Sequence, residues 1–335
     1  MINHLITQTN WQTHLSQAIT SVDELLSLVQ LDRSQLGVIV PDNFGLRVPR
    51  GFVSKMQVGQ ADDPLLLQVL PTLQEQIPVS GYIQDPLNEN EHNPIKGLLH
   101  KYESRVLLTI TGACAIHCRY CFRQHFDYGA NLPTSKEQEA IMNYVAQCPD
   151  VNEVILSGGD PLSISNRRLF AWLDCLEAIE QLTTIRLHTR LPLVIPERID
   201  EALLARLEAS RCQIVMVIHC NHANEIDAHT ARFLQALKVA GVTLLNQTVL
   251  LAGINDTLAT QVELSQRLFA AGVLPYYLHV LDKVAGAAHF DCPEQQAIDL
   301  YWQMLAKLPG YLVPKLVREL PDRPFKTPIN IYKAV

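Results

Sequence analysis

The chain has 335 residues, 48% of them hydrophobic, with 27 basic and 34 acidic side chains and a formal charge of −7. That suffices for a substantial core in one large domain, alone or with an appendage. No polybasic run offers an electrostatic footprint for nucleic acid, and no apolar stretch approaches the ~20 residues that a bilayer span needs.

The first residues, MINHLITQTNWQTHLSQ, lack a basic region followed by an apolar one, so no signal peptide is expected and a cytoplasmic protein is favoured. Residues 10–80 read as mostly helical. SVDELLSLVQLD has an acidic first turn after Ser21 and apolar residues at helical spacing. IQDPLNENEHNPIKG is polar, broken by Pro86 and Pro94, and reads as a linker.

A regular alternation follows. RVLLTIT, EVILSGG, TIRLHTR, QIVMVIHC, VTLLNQTVL and LPYYLHVL are short apolar runs rich in β-branched residues. Helical patterns separate them, from SKEQEAIMNYVAQ to TLATQVELSQRLFAA, and PEQQAIDLYWQMLAKL follows the last. Six strand–helix units in series imply parallel strands buried on both faces, with helices outside. An open six-stranded barrel and a doubly wound sheet both fit.

In either layout chemistry belongs at the C-terminal ends of the strands. Polar residues stand there in every unit. The first run leads into cysteines, and the second ends in Ser157-Gly158-Gly159-Asp160. The third ends in His188-Thr189-Arg190 and the fourth in His219. The fifth passes through Asn246-Gln247 and the sixth carries His279.

The eight cysteines are too sparse for a secreted disulfide framework. Cys148, Cys175, Cys212, Cys220 and Cys292 read as small buried hydrophobes. Cys114, Cys118 and Cys121 form C-x3-C-x2-C. A structural zinc site wants four ligands, and the chain has no second C-x2-C; zinc with a distant histidine stays open. A common iron–sulfur cluster also takes four thiolates. Three leave one iron open to a small molecule.

On the loop after a first strand, this spacing resembles that of the radical S-adenosylmethionine (SAM) enzymes. The resemblance implies a 4Fe–4S cluster on Cys114, Cys118 and Cys121 whose open iron chelates SAM. Cleavage of SAM by a cluster electron then gives a 5′-deoxyadenosyl radical. Gly158, Gly159 and Asp160 match the family's GGE or GGD motif, which contacts the SAM amino group.

Over roughly residues 80–330 the chain further resembles the lysine 2,3-aminomutase family. The likeness rests on HKYESRVLLTITGACAIHCRYCFRQHF, ILSGGDPL, IHCNHANEI, NQTVLLAGIND, YYLHVLDKVAGAAHF and the late KTP. WQTHLSQAITSVDELLSLV and GYLVPKLVRE look most like the branch serving elongation factor P modification, which makes (R)-β-lysine from L-lysine. The implied fold is an open (β/α)6 partial TIM barrel of the radical SAM type. A helical extension and linker would occupy 1–95, the core 96–285 and a pyridoxal 5′-phosphate (PLP) segment 286–335.

The resemblance also implies roles. Moving an amino group between adjacent carbons by a radical route requires a π-system, which a lysine–PLP aldimine supplies. Lys326, before Thr-Pro, matches the PLP lysine. Lys101, Tyr102 and Arg105 sit where the family contacts the phosphate, and His219 and Gln247 match positions near SAM. Arg123 matches the arginine that binds the substrate carboxylate. Asp256 and Glu319 match acids that receive the ε-ammonium.

Three departures stand out. Lys101 replaces an arginine, and Glu319 replaces an aspartate. Leu320-Pro321-Asp322-Arg323-Pro324-Phe325 replaces glycines before Lys326. A sister aminomutase for arginine or, against the acidic pair, glutamate is one rival reading. An inactive homologue that keeps its cluster is another. The implied partners are L-lysine, a reductant protein and, functionally, the elongation factor P ligase, with no nucleic acid and no membrane.

Overall fold

The computed structural model describes residues 10–41, 43–321 and 323–332. Residues 1–9 of the expected extension, residues 333–335, and Asp322 in the loop before Lys326 lie outside the described residues.

The six apolar runs form β2 (Arg105–Thr111), β3 (Glu153–Gly158), β4 (Thr184–Thr189), β5 (Gln213–Ile218), β6 (Thr243–Val249) and β7 (Leu274–His279). The helices Ser135–Gln147, Asn166–Glu177, Glu201–Glu208, Ala228–Val239 and Leu258–Ala270 connect them. From β3 to β7 each strand pairs in parallel with its predecessor in the chain. That order decides between the two layouts. A doubly wound sheet reverses at a switch point, whereas here spatial order follows chain order throughout. Crossovers of one sense curl the sheet into a barrel wall, and among the described residues no pairing joins its two edges.

Three more strands complete the sheet. β1 (Leu98–Tyr102) lies antiparallel to β2. β8 (Lys315–Arg318) adds a seventh parallel strand beside β7, reached through the helix Glu294–Lys307. β9 (Thr327–Pro328) folds back antiparallel on β8. The β8–β9 hairpin brings Glu319 and Lys326 together across a loop that turns without glycine.

The extension is less helical than its pattern predicts. Its α-helices, Trp11–Ser16, Val22–Leu28, Arg50–Val53 and Pro64–Leu67, are short. Pro41, Pro49, Pro64 and Pro71 interrupt any longer run. Ser21 caps the second helix by accepting from the Glu24 N–H, as its sequence suggests.

Trp11, Leu25, Phe52 and Leu65 bury into the same core as barrel residues Leu108, Leu156 and Leu187. Lys55 fastens the two parts by donating to Leu193 O, Glu225 O and Thr230 Oγ1 at 2.7–2.9 Å. Cys212, Cys220 and Cys292 are buried as expected; Cys175 is exposed, because its position on its helix faces outward. Among the described residues no helix is long and apolar enough to cross a membrane.

Candidate active site

A cavity of about 520 Å³ opens at the C-terminal ends of the strands. Every site residue expected from sequence lines it except Asp256.

The cysteine loop leaves β2 at Thr111 and is fixed from the extension. The His117 and Arg119 N–H groups donate to Arg47 O and Gln68 O, both at 2.9 Å. The buried Arg119 guanidinium is paired with Glu75 and donates to Phe44 O. All three thiols are free and half-buried. Burial, then the neighbouring thiols, raise the pKa of Cys114. Burial, then Cys118, push Cys121 up to about 12. A bound metal reverses that balance by ionising its thiols. Three unbridged sulfurs on one loop, facing one cavity, fit a cluster.

Gly158 and Gly159 form a cradle beside them. Gly158 has φ +122°, and a Cβ there would lie 2.3 Å from Thr111 O. A Cβ on Gly159 would lie 2.4 Å from Ala113 O. Only glycine lets β3 end this close to the cysteine loop. Gly158→Ala should therefore destabilise the protein by roughly 2–4 kcal/mol, seen as a lower thermal midpoint.

The Asp160 carboxylate is already engaged. It accepts from Leu162 N and Thr189 Oγ1 on one oxygen and from Arg190 N and Leu191 N on the other. Asp160 is thus a strut between the ends of β3 and β4, and its neighbours' backbone is what remains for a cosubstrate.

Several buried polar atoms on the wall have no protein partner. They are His188 Nε2, Arg190 Nε, His219 Nε2, Gln247 Oε1 and both ring nitrogens of His279. Burial, then Arg190, Lys326 and Arg123, hold the pKa of His219 down at about 4. Burial, chiefly, also lowers the pKa of His188 and His279. Neutral imidazoles and an amide with unused bonds suit polar ligands.

At the other end of the cavity, Glu319 gathers three donors. Lys101 Nζ and Tyr102 OH reach Oε1 at 2.8 and 2.7 Å, and Lys326 Nζ reaches Oε2 at 3.1 Å. Burial opposes its charge, but Lys326, Lys101 and Tyr102 together lower its pKa. Arg105 stacks over the Tyr102 ring, 4.1 Å from the centroid. This concentration of cations around a lysine amine fits a phosphorylated aldehyde such as PLP.

Arg123 is buried beside the cysteines. Glu89 grips its Nε and Nη2, while Nη1 donates to Ser157 Oγ at 3.1 Å and Gly158 O at 3.4 Å. The stretch read as a linker therefore supplies a wall of the site, through the turn Glu89–His92.

Asp256 requires correction. It lies outside the cavity, before the helix Leu258–Ala270, on the side of Cys292. Its neighbour Asn255 turns inward, donating to Asn221 O and Val249 O and accepting from Leu251 N. An aspartate that does line the cavity, beside Glu319, is Asp282, three residues beyond β7. Burial raises its carboxyl to about 7, against the pull of Lys326 and with repulsion from Glu319. Its place at a strand end in YYLHVLD was the available signal.

Similarity to known proteins places the chain in a family. Residues 108–257 match the model of the Radical SAM superfamily. The chain is 46% identical over 325 residues to the L-lysine 2,3-aminomutase of Escherichia coli (strain K12), covering 96% of this chain and 95% of that one. It is 44% identical over 321 residues to the enzyme of that name from Haemophilus influenzae, covering 95% of both. It is 32% identical over 324 residues to that of Clostridium subterminale, covering 96% of this chain and 77% of the relative. With its free thiols, glycine cradle and lysine–acid cluster in one cavity, the chain belongs to the L-lysine 2,3-aminomutase family of radical SAM isomerases, which use a 4Fe–4S cluster, SAM and PLP.

Proposed function

We propose that this chain converts L-lysine to (R)-β-lysine in the cytosol. The observation that carries the reading is one cavity lined by Cys114, Cys118 and Cys121, by Lys326, and by the acids Glu319 and Asp282. When bound, the cluster with SAM supplies a carbon-centred radical and PLP a π-system for the migrating nitrogen.

The chain's own residues position and shield. The three thiols would hold the cluster, with the Gly158–Gly159 backbone, His219 and Gln247 around SAM. Lys326 would carry PLP, with Arg105, Lys101 and Tyr102 toward its phosphate. Arg123 would receive the substrate carboxylate. Asp282 and Glu319 would receive the distant ammonium, a pairing that favours a cationic amino acid over glutamate. Fixing both ends of lysine sets C3 against the reacting carbon, where an error of about 1 Å can cost 10²-fold.

The direct test is an anaerobic assay of reconstituted protein with reductant, SAM, PLP and L-lysine, with chromatography for β-lysine. Turnover of arginine but not lysine would overturn the substrate. A low-potential reductant protein would supply the electron in the cell. The link to elongation factor P predicts that deleting the gene removes the β-lysyl mass increment from that factor.

Asp282 gives the reaction a pH signature. Its folded pKa lies above the ordinary 3.8, at about 7, so the folded, ligand-free state binds the extra proton. Its stability should fall as pH rises from about 4 to about 7, and Asp282→Asn should flatten that slope. An arriving ammonium prefers the ionised carboxylate, so KM for lysine should fall as pH rises through about 7. Asp282→Asn should raise KM roughly ten- to a hundredfold and remove that dependence. A KM–pH profile of both proteins checks this.

A further inference from the structure

Arg190 follows β4 and lies buried between the cysteine loop and the extension. Its guanidinium is held by four acceptors. Nη1 donates to Cys118 Sγ and to Tyr120 OH, each at 2.7 Å. Nη2 donates to Gln68 Oε1 at 2.6 Å and to Glu225 Oε2 at 2.9 Å. Its backbone N–H is fixed by Asp160 Oδ2 at 2.8 Å. The acceptors are fixed in turn. Glu225 is fully buried and accepts from the N–H groups of Asn221 and His222 through Oε1. Gln68 Oε1 also accepts from Asn221 Nδ2.

The cation therefore has little freedom to swing away from the sulfur. Its counter-charge, Glu225, meets the far nitrogen, while Cys118 meets the near one. At short range the nearer charge dominates the local field.

We propose that Arg190 tunes the cluster by holding a donor and a positive charge against the Cys118 sulfur, thereby raising the cluster's reduction potential. Adding one electron makes the cluster more negative, and no bond forms or breaks in that step. A hydrogen bond and a cation at a ligating sulfur stabilise the reduced form more than the oxidised one. Arg190 is a positioning and tuning residue in this account; it acts on the ligand sulfur and forms no bond to iron. The proposal rests on Cys118 being a cluster ligand.

The test uses reconstituted holoenzyme without SAM: wild type, Arg190→Lys and Arg190→Gln. Iron and sulfide content are measured first. The electron paramagnetic resonance signal of the reduced cluster is then followed against applied potential, with dithionite and mediators. Full loading with midpoints more negative than wild type, Arg190→Gln further than Arg190→Lys, supports the proposal. Should Arg190→Gln fail to load, a loaded Arg190→Lys with a negative shift still supports it.

A loaded variant at the wild-type potential overturns it, as does failure of both variants to load, which would make Arg190 only a prop for the loop. An unchanged potential with a weakened SAM dissociation constant also overturns it, by assigning Arg190 to the cosubstrate. Wild-type protein that holds no cluster would instead sink the assignment of the cysteines.

Discussion

Replacing Cys118 by Ala should reduce β-lysine formation to background and strip the reconstituted protein of iron and sulfide. With three protein thiolates, a 4Fe–4S cluster keeps one iron open for SAM; with two, a second iron loses its protein anchor. No substitute is close at hand, because Cys148, Cys175, Cys212, Cys220 and Cys292 lie outside the lining of the cavity. The change also removes the sulfur that accepts from Arg190, leaving that nitrogen with Tyr120 alone. Cys175→Ala is the matched control, since the residue is exposed and should leave loading and turnover unchanged. Iron analysis and the lysine assay on both variants decide the matter. Turnover retained by Cys118→Ala would contradict the radical route.

Lys326→Ala should also abolish turnover, through the other end of the cavity, while leaving iron content at the wild-type level. Wild-type protein incubated with PLP should show a visible absorbance that borohydride removes and fixes to the chain, because a lysine amine condenses reversibly with an aldehyde. The variant should lack it. The geometry supports Lys326 over other lysines. Its amine lies inside the cavity, 3.1 Å from Glu319, which Lys101 and Tyr102 hold from the opposite side. Removing Lys326 leaves Glu319 two partners, so the fold should survive. Peptide mapping of the reduced wild type gives a second reading. Label on Lys101, or absorbance persisting in Lys326→Ala, would move the cofactor's attachment elsewhere.

Much of this was visible in the sequence, and what was hidden has identifiable causes. The six parallel strands are legible because strands buried on both faces must be continuous apolar runs. β8 is harder to see, since KLVR spans four residues after Pro314 and is fixed by its pairing with β7. The cysteine triplet is legible because one short loop carries all three thiols. Glu89 gave no local signal, for its partner Arg123 lies 34 residues away. Asp256 and Asp282 show the limit of matching acids by motif. Both follow strands, but Asn255 uses its side chain to tie the turn inward, which leaves the adjacent Asp256 facing out. The Asp160 strut was hidden for a similar reason, since four donors from three elements converge on it.

The grip of Glu89 on Arg123 bears on how this protein could be trimmed or recombined. A fragment beginning at the first barrel strand would keep a buried guanidinium and discard its counter-ion. Such orphaning costs on the order of 3–5 kcal/mol. Gln68 and Glu75 would be lost from the cysteine loop at the same time. Chimeras with relatives should therefore exchange the first hundred or so residues together with the barrel they cover, as one inherited unit.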